Sequence, residues 1–181
     1  MKFIPTILTG AYIIEPTPFI DERGFFARTY CKKEFEQIGF KGEWVQLNHS
    51  ITNSKGTIRG MHFQNPPFSE VKMVKCIAGA VFDVIIDLRK NSPTFLKWFG
   101  AELSAGNKKM MFIPEGFAHG FQALTDDCGL IYHHSNFYTP GAEGGIKYDE
   151  PLVNIEWPLS ISSISDRDKN HPYLTKDFKG I

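Results

Sequence analysis

Along much of the chain, apolar and polar positions alternate with a period of two. The run VFDVIIDLR (81–89) is a mixed apolar stretch that sets Asp83 and Asp87 on one period-2 face. KMVKCIAGA (72–80) alternates and ends at a glycine turn. MMFIP (110–114), HGFQAL (119–124) and GLIYHHSNFY (129–138) read the same way, and each predicts a strand. The clearest helical pattern is CKKEFEQIGF (31–40), where Phe35 and Ile38 share a face and Gly39 ends the element. Sixteen glycines and eleven prolines are spread throughout, which suits short elements separated by turns. Many strands with few helices predict a mainly β protein, a sandwich or a barrel. Sixteen Phe, six Tyr and three Trp would fill a small barrel that holds one ligand at its mouth.

The 181 residues are expected to form a single domain spanning 1–181, long enough for a sizeable core. Lys plus Arg and Asp plus Glu each number 20, so the formal net charge is zero. No global field then draws the protein to nucleic acid or to an anionic membrane, and an anionic ligand must be met by locally placed cations. Cys31, Cys76 and Cys128 lie far apart without a Cys-x-x-Cys pair, which reads as packing residues in a reducing compartment. The N-terminal MKFIPTILTGAYIIEP is broken by Pro5, Gly10 and Glu15 and lacks the features of a signal peptide. No stretch reaches the roughly 20 apolar residues of a membrane span. A soluble cytoplasmic protein is the expectation.

Four stretches carry chemistry. In GTIRGMHFQ (56–64), strict alternation puts His62 and Gln64 on one face with Ile58 and Gly60, and Arg59 on the other. Arg59 joins His62 only if a bulge, which Gly60 permits, re-aims it. Two readings of His62 compete, a metal ligand and a proton-transfer base. The second stretch, IPEGFAHGF (113–121), turns at Pro114 and Gly116 and places His119 at the start of a strand. In the third, Tyr132, His134, Asn136 and Tyr138 share a period-2 face, so two phenols could line one wall. In the fourth, SISDRDKNHP, Ser165 and Asp168 have the spacing of a capping box. Asp168 could instead hold a histidine through Nδ1 and raise the basicity of Nε2. Taken singly, each of these residues also has an ordinary structural explanation.

Pro114-x-Gly116-x-x-His119 matches the second signature of the cupin superfamily. Gly56 and His62 match the first, Gly-x5-His-x-His, with Gln64 in place of the second histidine. A transition metal would need several imidazoles and a carboxylate. Here His62 and His119 would have only a neutral amide, with Glu70 in the Pro-rich NPPFSE as a possible carboxylate.

Read together, DERGFF (21–26), VQLNHS (45–50), IRGMHFQ (58–64), VFDVIIDLRKNSPTF (81–95), IPEGFAHGF (113–121), NFYTP (136–140), IEWP (155–158) and SDRD (165–168) resemble the dTDP-4-dehydrorhamnose 3,5-epimerase family nearly end to end. The resemblance implies a cupin jelly-roll β-barrel with a few short helices. It implies a cytoplasmic homodimer that needs no cofactor or metal and acts on a nucleotide-linked 4-keto-6-deoxy sugar. His62 then matches a general base, Asp168 its partner, Tyr132 a general acid and Lys72 the enolate-stabilising cation. Arg23, Gln46, Asn48, Arg59, His119, Glu143 and Arg167 match positions that hold the nucleotide diphosphate and sugar, and Tyr138 the ring that stacks on the base. Arg28 stands where the family usually carries an acid, a charge reversal expected at a ligand contact, and Leu47 replaces a frequent Asp. A single-carbon epimerase for another nucleotide sugar, a metal-dependent cupin enzyme and a non-catalytic sugar-binding cupin are the alternatives.

Overall fold

The computed structural model describes all 181 residues. In chain order the strands are β1 (Lys2–Pro5), β2 (Tyr12–Glu15), β3 (Phe19–Asp21), β4 (Gly24–Phe26), β5 (Gln46–Thr52), β6 (Ile58–Gln64) and β7 (Lys72–Ala78). There follow β8 (Ala80–Asp87), β9 (Trp98–Ser104), β10 (Met110–Ile113), β11 (Phe117–Ala123), β12 (Cys128–His134) and β13 (Glu143–Gly145). Two short helices, α1 (Lys32–Phe35) and α2 (Asp166–Lys169), complete the set. A 3-10 turn over Glu36–Ile38 extends α1 until Gly39, left-handed at φ 83°, stops it.

The strands form a six-stranded sheet, β1-β2-β10-β7-β12-β5, and a five-stranded sheet, β13-β6-β11-β8-β9, with all named pairings antiparallel. The fold is therefore mainly β, of the cupin jelly-roll type. Alternation decides what lies between the sheets. Val74 and Cys76 of β7, Leu130 of β12, Val81 and Ile85 of β8 and Phe117 and Phe121 of β11 belong to one buried cluster. By the same parity Lys72, Tyr132, His134, Asp83 and His119 are interior side chains toward one end of the barrel.

Two further clusters seal the outer faces. Phe35, Phe40, Met73 and Phe112 pack beneath α1. Met61, Val84, Ile86 and Ala118 are covered by the segment carrying Ile146, Val153, Trp157, Leu174 and Phe178. That covering segment delivers α2 to β6. No helix is long and apolar enough to cross a membrane.

The strand predicted over 129–138 stops at His134. There Ser135 N–H donates to Val71 O and the Ser135 hydroxyl accepts from Val71 N–H, which turns the chain out of the sheet. Asn136 consequently leaves the face of Tyr132 and donates to Ser69 O. The hairpin of β3 and β4 belongs to neither large sheet and exposes Phe19, Ile20, Phe25 and Phe26.

Candidate active site

Beta-strand β6 sets the geometry. It pairs with β11 at His62–His119 and again at Arg59–Phe121, so two residues of β6, Gly60 and Met61, oppose the single Gly120. This bulge reverses the parity of the strand. Arg59 and His62 now line the same cavity, while Met61 is buried in the outer cluster. Alternation alone placed Gly60 with His62 and Arg59 opposite; the extra residue overturns that. Gly60 sits at φ 133°, and a Cβ there would lie 2.5 Å from the Gly120 Cα, so this close approach of two backbones requires glycine.

The bulge also frees the Gly60 N–H from the ladder. It donates to Asp168 Oδ2 at 3.0 Å, while Asp168 Oδ1 lies 2.8 Å from His62 Nε2. Ser165 caps α2 by accepting from the Asp168 N–H at 3.1 Å. The cap and the histidine contact therefore coexist, because the carboxylate is turned toward β6. The carboxylate sits on Nε2, opposite to the expected Nδ1, and Nδ1 has no protein partner. Burial pushes the Asp168 carboxyl up, but the hydrogen bonds from His62 and Gly60 outweigh it and hold it below the usual range. His171, one turn on, packs edge-on to His62 with ring centroids 5.7 Å apart. Burial, helped by nearby His62 and opposed by Asp168, holds its imidazole below the ordinary histidine value.

The cavity has two adjoining lobes that share Asn48, His62, Lys72 and His134. The inner lobe, about 280 Å³, adds Ser50, Arg59, His119, Phe121 and Tyr132. The outer lobe, about 620 Å³, opens past Gln46, Tyr138, Glu143 and Arg167.

In the inner lobe the Tyr132 hydroxyl lies 3.1 Å from Ser50 Oγ. Its ring stacks on His134 and meets His119 edge-on. Burial is the main cause that pushes its phenol up to about 12, against the Ser50 hydrogen bond. The phenol thus keeps its proton at neutral pH. Lys72 is buried beside Glu70, Nζ to Oε1 3.1 Å, and Glu70 Oε2 lies 2.7 Å from His134 Nδ1. These contacts, against burial, hold the Glu70 carboxyl below its usual range. His119 is buried with Nε2 2.8 Å from Asp83 Oδ1, and the Arg59 guanidinium donates to Ile51 O. At the outer lobe Arg167 pairs with Glu143 at 3.1 Å.

Eleven of the thirteen residues named from the sequence thus line one cavity or, as Asp168 does, touch a residue that does. Arg23 and Arg28 do not. Arg23 pairs with Asp21 on the exposed β3–β4 hairpin, and Arg28 pairs with Glu34 at 2.8 Å beside α1. The basic residue at position 28 thus has an acidic partner within the same chain. Gln64 lines the cavity wall, but its amide is spent on backbone: it donates to Phe68 O and Phe137 O and accepts from Thr139 N–H. The position of the second signature histidine is a bracket joining two loops. Sequence reasoning put His134 on the Tyr132 face without giving it a role, and missed Ser50, Glu70 as an ion-pair partner and His171. Ser50 had a signal, since it continues the Gln46–Asn48 alternation along β5.

Fold and cavity together define a cupin-type barrel whose interior is equipped for proton transfer, the arrangement of a cupin-fold isomerase. The family profile described as dTDP-4-dehydrorhamnose 3,5-epimerase matches residues 5–176. A dTDP-4-dehydrorhamnose 3,5-epimerase of Shigella flexneri is 47% identical over 171 residues, 94% of each chain. The crystal structure of the Bacillus anthracis enzyme of that name, with TDP and PPi bound, superposes with a TM-score of 0.92 at 40% identity, covering 96% of this chain and 99% of that one. The Legionella pneumophila dTDP-6-deoxy-D-glucose-3,5-epimerase, in complex with dTDP-4-keto-L-rhamnose, superposes with a TM-score of 0.87 at 39% identity, covering 92% and 89%. The chain belongs to the dTDP-4-dehydrorhamnose 3,5-epimerase family.

Proposed function

We propose that the protein inverts C3 and C5 of dTDP-4-dehydro-6-deoxyglucose, giving dTDP-4-dehydrorhamnose for dTDP-L-rhamnose synthesis. The observation that carries this reading is the His62–Asp168 contact at 2.8 Å opening onto the same cavity as Tyr132 and Lys72. The ketone at C4 makes the protons on C3 and C5 acidic. Removing one gives an enolate, and a proton returned to the other face inverts the carbon.

His62 Nδ1 takes the proton while Nε2–H stays on Asp168, which stabilises the imidazolium. Lys72 faces the developing oxyanion, a contact worth about 3–4 kcal/mol in comparable sites. Tyr132, protonated at neutral pH, returns the proton. Such acid–base assistance adds about 10²–10⁴-fold. Arg59, His119, Asn48 and Gln46 hold the sugar and diphosphate, Arg167 and Glu143 the nucleoside end, and Tyr138 stacks on the base. No redox cofactor enters this scheme.

The protein acts as a homodimer in the cytoplasm. Exposed Phe19, Ile20, Phe25 and Phe26 on one hairpin support the dimer, since a second copy covering them removes an apolar patch from water. Arg23, at the tip of the same hairpin, then reaches a ligand only in the neighbouring copy.

The test is proton NMR of the sugar in D₂O. Deuterium at both C3 and C5, with the rhamno product, is the expected result. Exchange at one carbon alone would replace the reading with a single-carbon epimerase, and no exchange would refute epimerisation of this sugar.

A further inference from the structure

His171 belongs to no step described above, yet it stands beside the reacting pair. Its Nε2 lies 3.6 Å from Asp168 Oδ1, the same oxygen that His62 Nε2 approaches at 2.8 Å. All three donor atoms fall within 4.8 Å of one another, the one such group of three or more in the chain. His171 Nε2 is buried with no hydrogen-bond partner. A buried polar atom left unpaired is costly, and one aimed at two other donors is satisfied by anything that binds all three. Gly145 leaves room for the ring, since any Cβ there would collide with the imidazole. Asp168 is fixed by the Gly60 N–H through its other oxygen, which keeps Oδ1 turned toward both imidazoles.

We propose that His62, Asp168 and His171 form an inhibitory site for a borderline-soft divalent ion, with Zn²⁺ the natural occupant. Two imidazoles and one carboxylate are a donor set for Zn²⁺ or Co²⁺ and a poor one for Mg²⁺, which prefers oxygen. Tetrahedral bonds of about 2.0–2.1 Å place neighbouring donors about 3.3 Å apart. The two separations to Asp168 straddle that value. Entry is through the cavity, since the His62 side chain is 35% exposed.

The inhibition rests on the reading of His62 as the base. The ion takes the Nε2 lone pair, so the ring's one proton moves to Nδ1, and that nitrogen, already protonated, can no longer accept a proton from the sugar. The ion lies behind the base, so nucleotide sugar still binds and kcat falls with little change in KM.

The test uses untagged protein stripped with EDTA and titrated with Co²⁺ alone, read by visible d–d absorption, with Zn²⁺ as competitor and Mg²⁺ as control. One Co²⁺ per chain, displaced by Zn²⁺ and not by Mg²⁺, is expected. His171→Asn and, independently, His62→Asn should each weaken Co²⁺ binding at least about tenfold, the cost of losing even an outer partner of a metal site. Wild-type exchange should fall to background with Zn²⁺ and recover with EDTA.

Failure to bind Co²⁺, or unaltered affinity in both variants, overturns the site. Binding that leaves the exchange rate untouched overturns its inhibitory role. Because Co²⁺ binding is read without substrate, a wrong assignment of the sugar leaves that arm standing.

Discussion

Asp168→Asn is the sharpest probe of the catalytic pair, because an amide is nearly isosteric with the carboxylate but has one acceptor oxygen instead of two. Asp168 now accepts from the Gly60 N–H at 3.0 Å and from His62 Nε2–H at 2.8 Å. If the amide oxygen keeps Gly60, its NH₂ faces Nε2. That nitrogen must then surrender its proton to Nδ1, the atom that has to be empty to act as the base. If the oxygen keeps His62, the NH₂ meets the Gly60 N–H donor to donor in a buried setting. An unsatisfied buried donor costs about 1–3 kcal/mol, and a hydrogen bond to a charged group is worth about 1.5–3 kcal/mol. The unsatisfied donor falls on stability, while losing the charged hydrogen bond to His62 lowers kcat by roughly 10–10²-fold, about 1.5–3 kcal/mol. The assay is deuterium wash-in at C3 and C5 under saturating nucleotide sugar, with thermal melting to check that the fold is intact. KM should move little, because Asp168 touches the ligand only through His62. A folded variant that exchanges at the wild-type rate would refute the pairing as the source of basicity.

Three further outcomes follow from the same geometry. Tyr132→Phe removes the hydroxyl beside Ser50 and should permit deprotonation while blocking inversion, seen as deuterium gain without rhamno product; full epimerisation would assign the acid to another group. In Asp87, hydrogen bonds from Arg89, Ser92 and Thr94 overcome burial and bring the carboxyl down to about 2, below its unfolded value. Its stabilisation is therefore present above about pH 4 and lost as pH falls toward 2; urea titrations across that window should show a shallower acid loss for Asp87→Asn, and an unchanged slope would contradict the assignment. Gly60→Ala forces a Cβ to within 2.5 Å of the Gly120 backbone and should destabilise the fold by at least about 2 kcal/mol, lowering Tm by about 4–8 °C. An unaltered Tm would mean that the bulge relaxes freely.

The alternation over 81–87 was sufficient to put Asp83 and Asp87 on one face, since period two fixes a face wherever the ladder is regular, whereas the place of Lys72 came from the family resemblance. Alternation failed at Arg59, because one extra residue in β6 inverts every assignment beyond it, and only Gly60 hinted at the place. The contact of His62 with Asp168 spans 106 residues and has no local signature; family resemblance, not periodicity, suggested it. Glu70 was legible only as a loop carboxylate because its partners, Lys72 and His134, converge from two strands. Arg23 and Arg28 lie outside this chain's cavity for the opposite reason: they sit on exposed surface, in local ion pairs with Asp21 and Glu34.

The division of labour between β6 and α2 also orders events in time. Twelve of the thirteen strands end by His134, whereas Asp168 emerges from the ribosome about thirty residues later. At roughly 5–20 residues per second that is a lag of roughly 2–6 s. The lining of the inner lobe, His62 included, is synthesised first. The arrival of α2 brings the Asp168 carboxylate that the proposed mechanism needs at His62, so under that mechanism a barrel is made before an enzyme is.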